Sequence, residues 1–390
     1  MNDLWTETGY ISLNKSGESL CGDRVEMSGG GDENLTLVLA DGLGSGVKAN
    51  ILSTLTSKIL CTMISGGIPI EDCVSTIAST LPVCSVRQVA YSTFTIISIK
   101  ENRTAQIIQF DNPATIVLRK GEMFDYPKET RVIAGKTIWE STFPIEVDDV
   151  LIAMSDGAEF AGVGQTFNFG WTRDSIADYV MCNYLSENSA KSTAGLITDE
   201  CNRLYGGKPG DDTTIAVVRV RSRHPVNLVV GPPENKDQDT RMLNLFFAKE
   251  GTRIVCGGTT SSLVARYLKK PLIASLSYPD PEVPPISEIE GVELVTEGVV
   301  TLSKVLAYAE DFLDSAKLVP QWITQKDGAS LIAKELFENA TDINFFVGRA
   351  INPAHQNPNL PITFGIKQQL IQSLADCLKR MGKHIRLSYF

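Results

Sequence analysis

The chain has 390 residues, 43% of them hydrophobic and 21% charged, so it can bury a substantial core and is not disordered by composition. Its formal net charge of −10 excludes a broadly basic surface for nucleic acid, and no apolar run approaches the roughly 20 residues that span a bilayer. The eight cysteines form no Cys-x-x-Cys pair and only three histidines occur, so a zinc site is not expected. No secretory signal is visible at the N-terminus. We therefore expect a cytoplasmic protein with reduced thiols and with neither nucleic acid nor membrane as a partner.

The first part of the chain alternates between strand and helix patterns. An apolar strand, residues 34–40, ends in Asp41-Gly42, and a helical rhythm follows over 43–64, with a second helix over 69–81. Further strands are predicted over 92–100, 105–111, 115–119, 130–133 and 149–155. Helices over 172–186 and 189–205 precede a last strand over 212–221. This order predicts a layered α/β sandwich of antiparallel sheets flanked by helices.

A domain boundary is predicted near Arg221–Pro225, which divides the chain into domains 1–223 and 224–390. Beyond it, strands over 226–230, 253–256, 343–347 and 384–389 alternate with helices over 237–248, 261–268, 301–312, 328–339 and 366–381. The second domain is therefore predicted to be a separate α/β domain of about 165 residues, within the usual size range.

Aspartates stand where the predicted strands of the first domain begin or end. Asp41 and Asp156 each precede a glycine, Asp211 and Asp212 open the last strand, and Asp23 follows Cys21-Gly22. A glycine after such an aspartate lets the backbone turn and brings its carbonyl near a ligand. Carboxylates gathered from several strand ends repel one another unless cations compensate them. Oxygen ligands of this kind suit Mg²⁺ or Mn²⁺, and two such ions can activate water for displacement at phosphorus.

These motifs resemble those of the protein phosphatase 2C-type enzymes, and most closely their bacterial stage II sporulation protein E-like branch. The resemblance rests on Cys-Gly-Asp23, Ala-Asp41-Gly42-Leu-Gly-Ser-Gly, Ser-Asp156-Gly157 and Gly-Asp211-Asp212-Thr-Thr, in family order over about residues 9–221. Asn112-Pro113 is similar to a turn of the same branch. The resemblance implies a protein phosphatase 2C-like α-β-β-α sandwich. It also implies metal-dependent dephosphorylation of phosphoserine or phosphothreonine on a phosphoprotein in bacterial signalling.

The same resemblance implies roles for individual residues. Asp41, Asp156 and Asp211 would be the catalytic carboxylates, and two Mn²⁺ or Mg²⁺ ions would be bound by Asp23, Asp41, Gly42, Asp156, Asp211 and Asp212. In this branch the helices that correspond to Leu43–Leu81 form a movable element that completes the metal site. Control of activity by the second domain or a partner, and a homodimer formed through these helices, are expected by analogy.

Two departures from the wider family affect the expected chemistry. The first motif has Cys21 where serine is more usual, and no histidine occurs in residues 1–223, so a general-acid histidine is absent and water must protonate the leaving oxygen. A phosphate-binding arginine is not evident, and Arg24 and Lys48 are the candidates.

In the second domain, the segment Gly257, Gly258, Thr259, Thr260 and Ser261 joins a strand to a helix. Free amide groups and the helix dipole could bind a small anionic ligand there, while a tight turn with threonine caps is the simpler interpretation. The pattern is not a Walker A motif, since no Gly-Lys-Ser/Thr end is present. A regulatory or ligand-sensing role is the hypothesis for this domain.

Two other functions fit the first domain. A phosphatase fold can serve as a non-catalytic phosphoprotein-binding or sensor protein, although retention of all the acidic positions argues against this. A phosphomonoesterase acting on a small molecule, with residues 257–261 as the ligand loop, is the other alternative.

Overall fold

A computed structural model describes residues 4–32, 34–80, 92–164, 166–275, 283–314, 321–350, 356–357, 360–361 and 364–390. The chain divides into two compact units, residues 1–222 and 223–390. None of the described helices combines the length and the apolar character that a bilayer span requires.

The N-terminal unit is built on two antiparallel sheets, with strand orders β1-β11-β10-β6-β7 and β2-β3-β4-β5-β9-β8. The strands are β1 (Leu4–Leu13), β2 (Asp23–Gly29), β3 (Leu35–Asp41), β4 (Thr93–Lys100), β5 (Thr104–Phe110), β6 (Ile116–Arg119), β7 (Glu122–Met123), β8 (Glu129–Ile133), β9 (Lys136–Pro144), β10 (Asp149–Met154) and β11 (Thr213–Ser222). The helices are α1 (Gly46–Ser65), α2 (Ile70–Thr80), α3 (Asp156–Glu159), α4 (Arg173–Asn183) and α5 (Ala190–Leu204).

Alternation along β3 shows how the layers pack. Leu37 and Leu39 enter the core between the two sheets, whereas Val38 and Ala40 point to the other side, where they pack with residues of α1 and α2. Because β3 is covered on both faces, all of its residues before Asp41 are buried. Its sequence is therefore mostly apolar rather than alternating between apolar and polar residues. On the far side, α5 packs against β1 and β11. The unit is therefore a helix–sheet–sheet–helix sandwich, and the predicted α/β layered fold class is confirmed.

Helix α1 has an exposed apolar stripe. Val47, Ile51 and Leu55 recur four residues apart and are 58%, 52% and 43% exposed. The buried face instead carries small and polar side chains such as Ala49 and Ser53. The four-residue rhythm thus predicted the helix correctly, but these three residues face solvent rather than the core.

The C-terminal unit is a doubly wound α/β unit with the sheet order β14-β15-β16-β13-β12-β17-β20. Its strands are β12 (Pro225–Val230), β13 (Thr252–Cys256), β14 (Ile273–Ala274), β15 (Ser287–Ile289), β16 (Val292–Thr296), β17 (Asp342–Val347), β18 (Gln356–Asn357), β19 (Leu360–Pro361) and β20 (His384–Tyr389), of which β18 and β19 form a separate pair. Its helices are α6 (Asp239–Phe247), α7 (Gly258–Leu268), α8 (Val299–Leu313), α9 (Gly328–Ala333), which continues as a π-helical turn, and α10 (Phe364–Arg380).

Five neighbouring strands of this sheet, in the order β16-β13-β12-β17-β20, are parallel to one another. The order of the strands along the chain reverses between β12 and β17. One apolar cluster lies on the face covered by α8, α9 and α10, and a second lies on the face covered by α6 and α7. Because the sheet is covered on both faces, the sequences of β12 and β17 are nearly continuous apolar runs. Ligands of such sheets bind outside the carboxyl ends of the strands where the order reverses.

Several elements differ from the sequence predictions. The strands that were not predicted are β1, β2, β7, β9, β14, β15, β16, β18 and β19. Helix α7 begins at Gly258 rather than Ser261. The predicted second helix was extended to Leu81, which lies outside the described residues.

Candidate active site

Asp23 and Asp41 lie directly opposite each other on the antiparallel pair β2–β3. Asp23 is the first residue of β2 and Asp41 the last of β3, so both carboxyl groups stand at the same end of the sheet. Burial raises the pKa of Asp41, and the charges of Asp23 and Asp156 raise it further. Burial also raises the pKa of Asp23, against hydrogen bonds from Ser155 and Thr214 that lower it. The strand register therefore concentrates negative charge at one point.

Asp156 joins this pair from the other sheet. It follows β10 and Ser155 and is the first residue of the short helix α3. Burial raises the pKa of Asp156, and the charge of Asp211 adds to the effect. Asp211 also acts electrostatically on Asp41. The three predicted catalytic carboxylates, Asp41, Asp156 and Asp211, thus lie within electrostatic range of one another.

The motif glycines allow the close packing that brings the segments together. A Cβ atom on Gly157 would lie 2.1 Å from the carbonyl oxygen of Asp212, so any side chain there would separate α3 from the segment before β11. A Cβ on Gly22 would lie 2.7 Å from Asp212 Oδ2. Gly22 and Gly157 therefore both pack against Asp212. This contact brings together the Cys-Gly-Asp23, Ser-Asp156-Gly157 and Gly-Asp211-Asp212 motifs.

A small hydrogen-bond network holds these acidic residues in place. The Ser155 hydroxyl donates to Asp23 Oδ2 at 2.7 Å and accepts from the Thr214 amide at 2.8 Å. The Tyr205 hydroxyl donates to the Gly157 carbonyl at 2.6 Å. Neither the Ser155 nor the Tyr205 side chain was assigned a role from the sequence, because their partners are distant along the chain.

Lys15 is a further residue at the site that sequence reasoning missed. Its amide donates to Asp212 Oδ1 at 3.0 Å, and its ammonium group lies 3.5 Å from Asp211 Oδ1. Within the described part of the chain, this is the one ion pair that involves any of the five aspartates. The residues around Lys15 form no recognisable motif, and Lys15 lies in the connection between β1 and β2. Its place at the site therefore could not be predicted from the sequence.

The two candidate phosphate-binding residues are both exposed. Arg24 is exposed on β2 and, by the alternation of the strand, points away from the side of buried Asp23. Lys48 is exposed in the first turn of α1.

The donor set fits a hard divalent cation in its chemistry. All the side-chain donors are carboxylate oxygens, and two buried oxygens, Asp23 Oδ1 and Asp212 Oδ2, make no hydrogen bond. A cation would satisfy such oxygens and relieve the repulsion that raises the pKa of Asp41. As the side chains are placed, however, no three Asp, Glu, His or Cys residues of the described ranges surround a common point. The carboxylate composition of the cluster therefore suits cations.

The segment Gly257–Ser261 in the C-terminal unit is almost entirely helical. Gly257, with φ of 111°, is the residue before α7, and the helix makes no side-chain cap at that position. The nearest neighbour of a Cβ on Gly258 would be Glu297 Oε1 at 3.3 Å. Thr259, Thr260 and Ser261 lie in the first turns, so the expected threonine caps are replaced by helix, and an anion at this terminus would meet the Glu297 carboxylate.

The stage II sporulation protein E (SpoIIE) family model matches residues 31–221, which include Asp41, Asp156, Asp211 and Asp212. Residues 31–221 of the N-terminal unit form a SpoIIE-type domain. The resemblance predicted from the aspartate motifs is thereby confirmed, and this SpoIIE-type, protein phosphatase 2C-like domain is followed by an additional α/β unit.

Curated relatives extend over the same half of the chain. The stage II sporulation protein E of Bacillus subtilis (strain 168) is 24% identical over 223 residues, which are 56% of this chain and 26% of that protein. Its counterpart in Priestia megaterium is 23% identical over 224 residues, covering 56% of this chain and 37% of the relative. The matched region therefore corresponds to 26% and 37% of the length of these two relatives.

Among solved structures, the phosphatase domain with a regulatory-domain fragment of the cell fate determinant SpoIIE from Bacillus subtilis is similar to this chain, with a TM-score of 0.48 and 21% identity. The alignment covers 57% of this chain and 64% of that one.

Proposed function

We propose that the SpoIIE-type domain is a divalent-cation-dependent phosphatase that hydrolyses phosphoserine or phosphothreonine in a protein. The observation that carries this proposal is the convergence of Asp23, Asp41 and Asp156 from separate strands, with Asp211 and Asp212 beside them. Repulsion among these groups disfavours the ionised cluster in the protein alone. Bound cations would offset this repulsion, so cation binding accounts for the presence of such a cluster.

The residues that would hold two Mn²⁺ or Mg²⁺ ions are Asp23, Asp41, Asp156, Asp211 and Asp212, with the Gly42 carbonyl. When bound, such ions supply positive charge opposite the phosphoryl oxygens and lower the pKa of water. The charges of Asp23 and Asp156 both act on Asp41, which suits Asp41 as a ligand that two ions would share.

The remaining residues of the site position these carboxylates. The Ser155 hydroxyl orients Asp23. The Tyr205 hydroxyl fixes the turn at Gly157 by donating a hydrogen bond to the Gly157 carbonyl. Lys15 fixes Asp212 through its backbone amide. Since no histidine occurs in residues 1–223, protonation of the leaving oxygen falls to water.

Hydrolysis assays test this function. The full chain should hydrolyse p-nitrophenyl phosphate and a phosphoserine peptide only with Mn²⁺ or Mg²⁺, and Asp41→Asn and Asp156→Asn should each lower the rate at least 100-fold, the scale of an electrostatic catalytic contribution. Asp125→Asn, which removes an exposed carboxylate outside the site, is the matched control and should retain the rate. No turnover with any cation would favour a phosphoprotein-binding module. Turnover of small esters but of no peptide would favour a small-molecule phosphomonoesterase.

We infer a homodimer formed through α1. The support is the stripe of Val47, Ile51 and Leu55, whose exposure on one helix face is unusual for apolar side chains. A substitution of Ile51 by Glu should shift the mass measured by light scattering from dimer to monomer. Ser65→Glu, at an exposed position at the end of the same helix, should leave the mass unchanged. A monomeric unsubstituted chain at all concentrations would reject this inference.

For the C-terminal unit we propose a regulatory, ligand-sensing role in a signalling protein. The support is the parallel sheet whose order reverses between β12 and β17, the place where such sheets bind ligands. The segment Gly257–Ser261 follows β13, the strand next to β12 in this sheet. Thermal unfolding of the full chain with and without inorganic phosphate and nucleotides tests the role. A ligand that binds this unit should raise its transition temperature, whereas no shift with any of them would count against an anionic ligand.

A further inference from the structure

A groove of about 500 Å³ lies beside the carboxylate cluster in the N-terminal unit. Its lining includes Asp111 and Asn112 in the turn after β5, Lys136 and Trp139 on the neighbouring strand β9, and Asp156 of α3. The volume is within the roughly 300–1,000 Å³ typical of ligand sites. Because Asp156 belongs both to the groove and to the cluster, a molecule in the groove lies next to the proposed reaction centre.

The wall after β5 is held rigidly by polar side chains. Asn112 accepts a hydrogen bond from the Thr93 hydroxyl at 2.6 Å and donates one to Thr95 Oγ1 at 3.2 Å. The Gln109 side chain donates to the Pro113 carbonyl at 2.9 Å. Rigid groups of this kind lower the entropic cost of binding a flexible chain.

The chemistry of the groove favours a cationic, extended ligand. Trp139 is 48% exposed on β9, which leaves a large aromatic face available for packing and for cation–π contact. Asp111 is exposed, and Asp111 and Glu159 outnumber the single basic side chain of the lining, Lys136. A polypeptide segment with arginine or lysine side chains complements this surface.

We propose that this groove binds the segment of the substrate phosphoprotein that flanks the phosphorylated residue, with Trp139 packing against it and Asp111 selecting basic side chains. The proposal rests on the phosphatase function proposed above. The groove places the flanking residues beside Asp156 while the phosphoryl group reaches the carboxylate cluster. A small aryl phosphate reaches the same cluster without filling the groove.

The test compares substrates that do and do not reach the groove. The substrates are p-nitrophenyl phosphate, a phosphoserine peptide with arginines on both sides of the phosphoserine, and the same peptide with glutamines in their place. For each variant, kcat/KM on a peptide is divided by kcat/KM on p-nitrophenyl phosphate, so that changes in the cation site cancel. In the unsubstituted chain the arginine peptide should have the higher ratio.

Two substitutions probe separate features of the groove. Trp139→Ala should lower the ratio for the arginine peptide about tenfold, equivalent to ~1.4 kcal/mol. Asp111→Asn should lower the preference for the arginine peptide over the glutamine peptide about threefold to fivefold, and asparagine tolerates the φ of 57° at this position. Val132→Ala, on the neighbouring strand β8 and 73% exposed, is the control and should change neither ratio by more than twofold.

The outcomes separate the two proposals. Absence of cation-dependent p-nitrophenyl phosphate hydrolysis in the unsubstituted chain would reject the phosphatase function itself. If that hydrolysis occurs but Trp139→Ala and Asp111→Asn both leave the peptide ratios at the control's level, the groove does not bind the substrate. Because both side chains are exposed, loss of folding is not expected, and circular dichroism of each variant verifies it.

Discussion

The Ser155 hydroxyl donates a 2.7 Å hydrogen bond to Asp23 Oδ2 across 132 positions of the chain. Asp23 is buried and its other oxygen, Oδ1, makes no hydrogen bond, so this contact orients the carboxylate. The Thr214 amide in turn donates to the Ser155 hydroxyl and fixes it. One serine therefore connects β10 and β11 of one sheet to β2 of the other at the candidate site.

Substitution of Ser155 by alanine should weaken cation binding. Removal of a partner that orients a metal ligand typically lowers affinity about 10–100-fold. The free energy of unfolding should also fall by about 1–3 kcal/mol, because a buried carboxylate oxygen loses its donor. Titration calorimetry with Mn²⁺ and urea denaturation measure the two effects. Ser65→Ala, an exposed serine in α1, is the control, and an Mn²⁺ affinity equal to the control's would contradict this role.

Substitution of Lys15 by methionine should strengthen cation binding. The Lys15 ammonium group is 3.5 Å from Asp211 Oδ1, and a positive charge there competes with a divalent cation for the same carboxylate. The pair is partly exposed, so we expect only about a two- to fivefold lower Mn²⁺ concentration for half-maximal binding. Lys120→Met, which removes an exposed lysine paired with Glu146, should leave the affinity unchanged. A weaker affinity in the Lys15 variant would show that the lysine supports the cation instead.

Enlargement of Ala49 in α1 should lower cation affinity without changing a carboxylate. A Cβ on Gly42 would lie 2.0 Å from the Ala49 carbonyl oxygen, so α1 packs directly on the Asp41-Gly42 turn. Ala49→Val would push the helix from this turn, since overpacking of a buried site costs about 1–3 kcal/mol. We expect about a tenfold higher Mn²⁺ concentration for half-maximal p-nitrophenyl phosphate hydrolysis. Thr62→Val, on the exposed face of α1, is the control, and equal cation dependence of the two variants would reject control of the site through α1.

Glu335 should make the C-terminal unit sensitive to acid. Burial alone would raise the pKa of Glu335, but hydrogen bonds from His224, Asn339 and Thr252 lower it below its ordinary value. His224 Nε2 and Asn339 Nδ2 lie 2.8 Å and 2.7 Å from the two carboxylate oxygens. A depressed folded-state pKa contributes stability above the unfolded-state value of roughly 4.3, and this contribution is lost as pH falls through the folded-state pKa.

The matching experiment is urea denaturation of the full chain and of Glu335→Gln between pH 3 and 7. At pH 7 the variant should be less stable by about 1–3 kcal/mol, since hydrogen bonds to a charged group are lost. Near pH 3 the two proteins should converge. Glu293→Gln, which removes a carboxylate with a half-exposed side chain on β16, is the control. A difference that stays constant over this pH range would contradict the assignment to ionisation.

Much of the fold follows from local patterns. Strand β10 was predicted within one residue because all of its residues are buried, which gives an uninterrupted apolar run. Strand β1 was not predicted: it includes Glu7 and Gly9, and it owes its pairing to β11, about 200 residues away. The exposed stripe of α1 shows a related limit, since periodicity defines a helix face but not what covers it.

The candidate site divides in the same way. The aspartates stand in recognisable motifs, so Asp41, Asp156 and Asp211 could be singled out before their proximity was known. Lys15 lies in no recognisable motif, and Ser155, although it stands in the Ser-Asp156-Gly157 motif, reveals its role only through its contact with distant Asp23. Local patterns therefore identified the charged groups of the cluster, whereas the groups that orient them required the folded chain.

The most direct measurement is anomalous X-ray diffraction from crystals of the full chain grown with Mn²⁺. The account predicts two manganese peaks within ligand distance of Asp41, one also bound by Asp156 and Asp211, and loss of those peaks in Asp41→Asn crystals. A clear map with saturating Mn²⁺ and no peak among these carboxylates would contradict the claim that the cluster exists to bind cations.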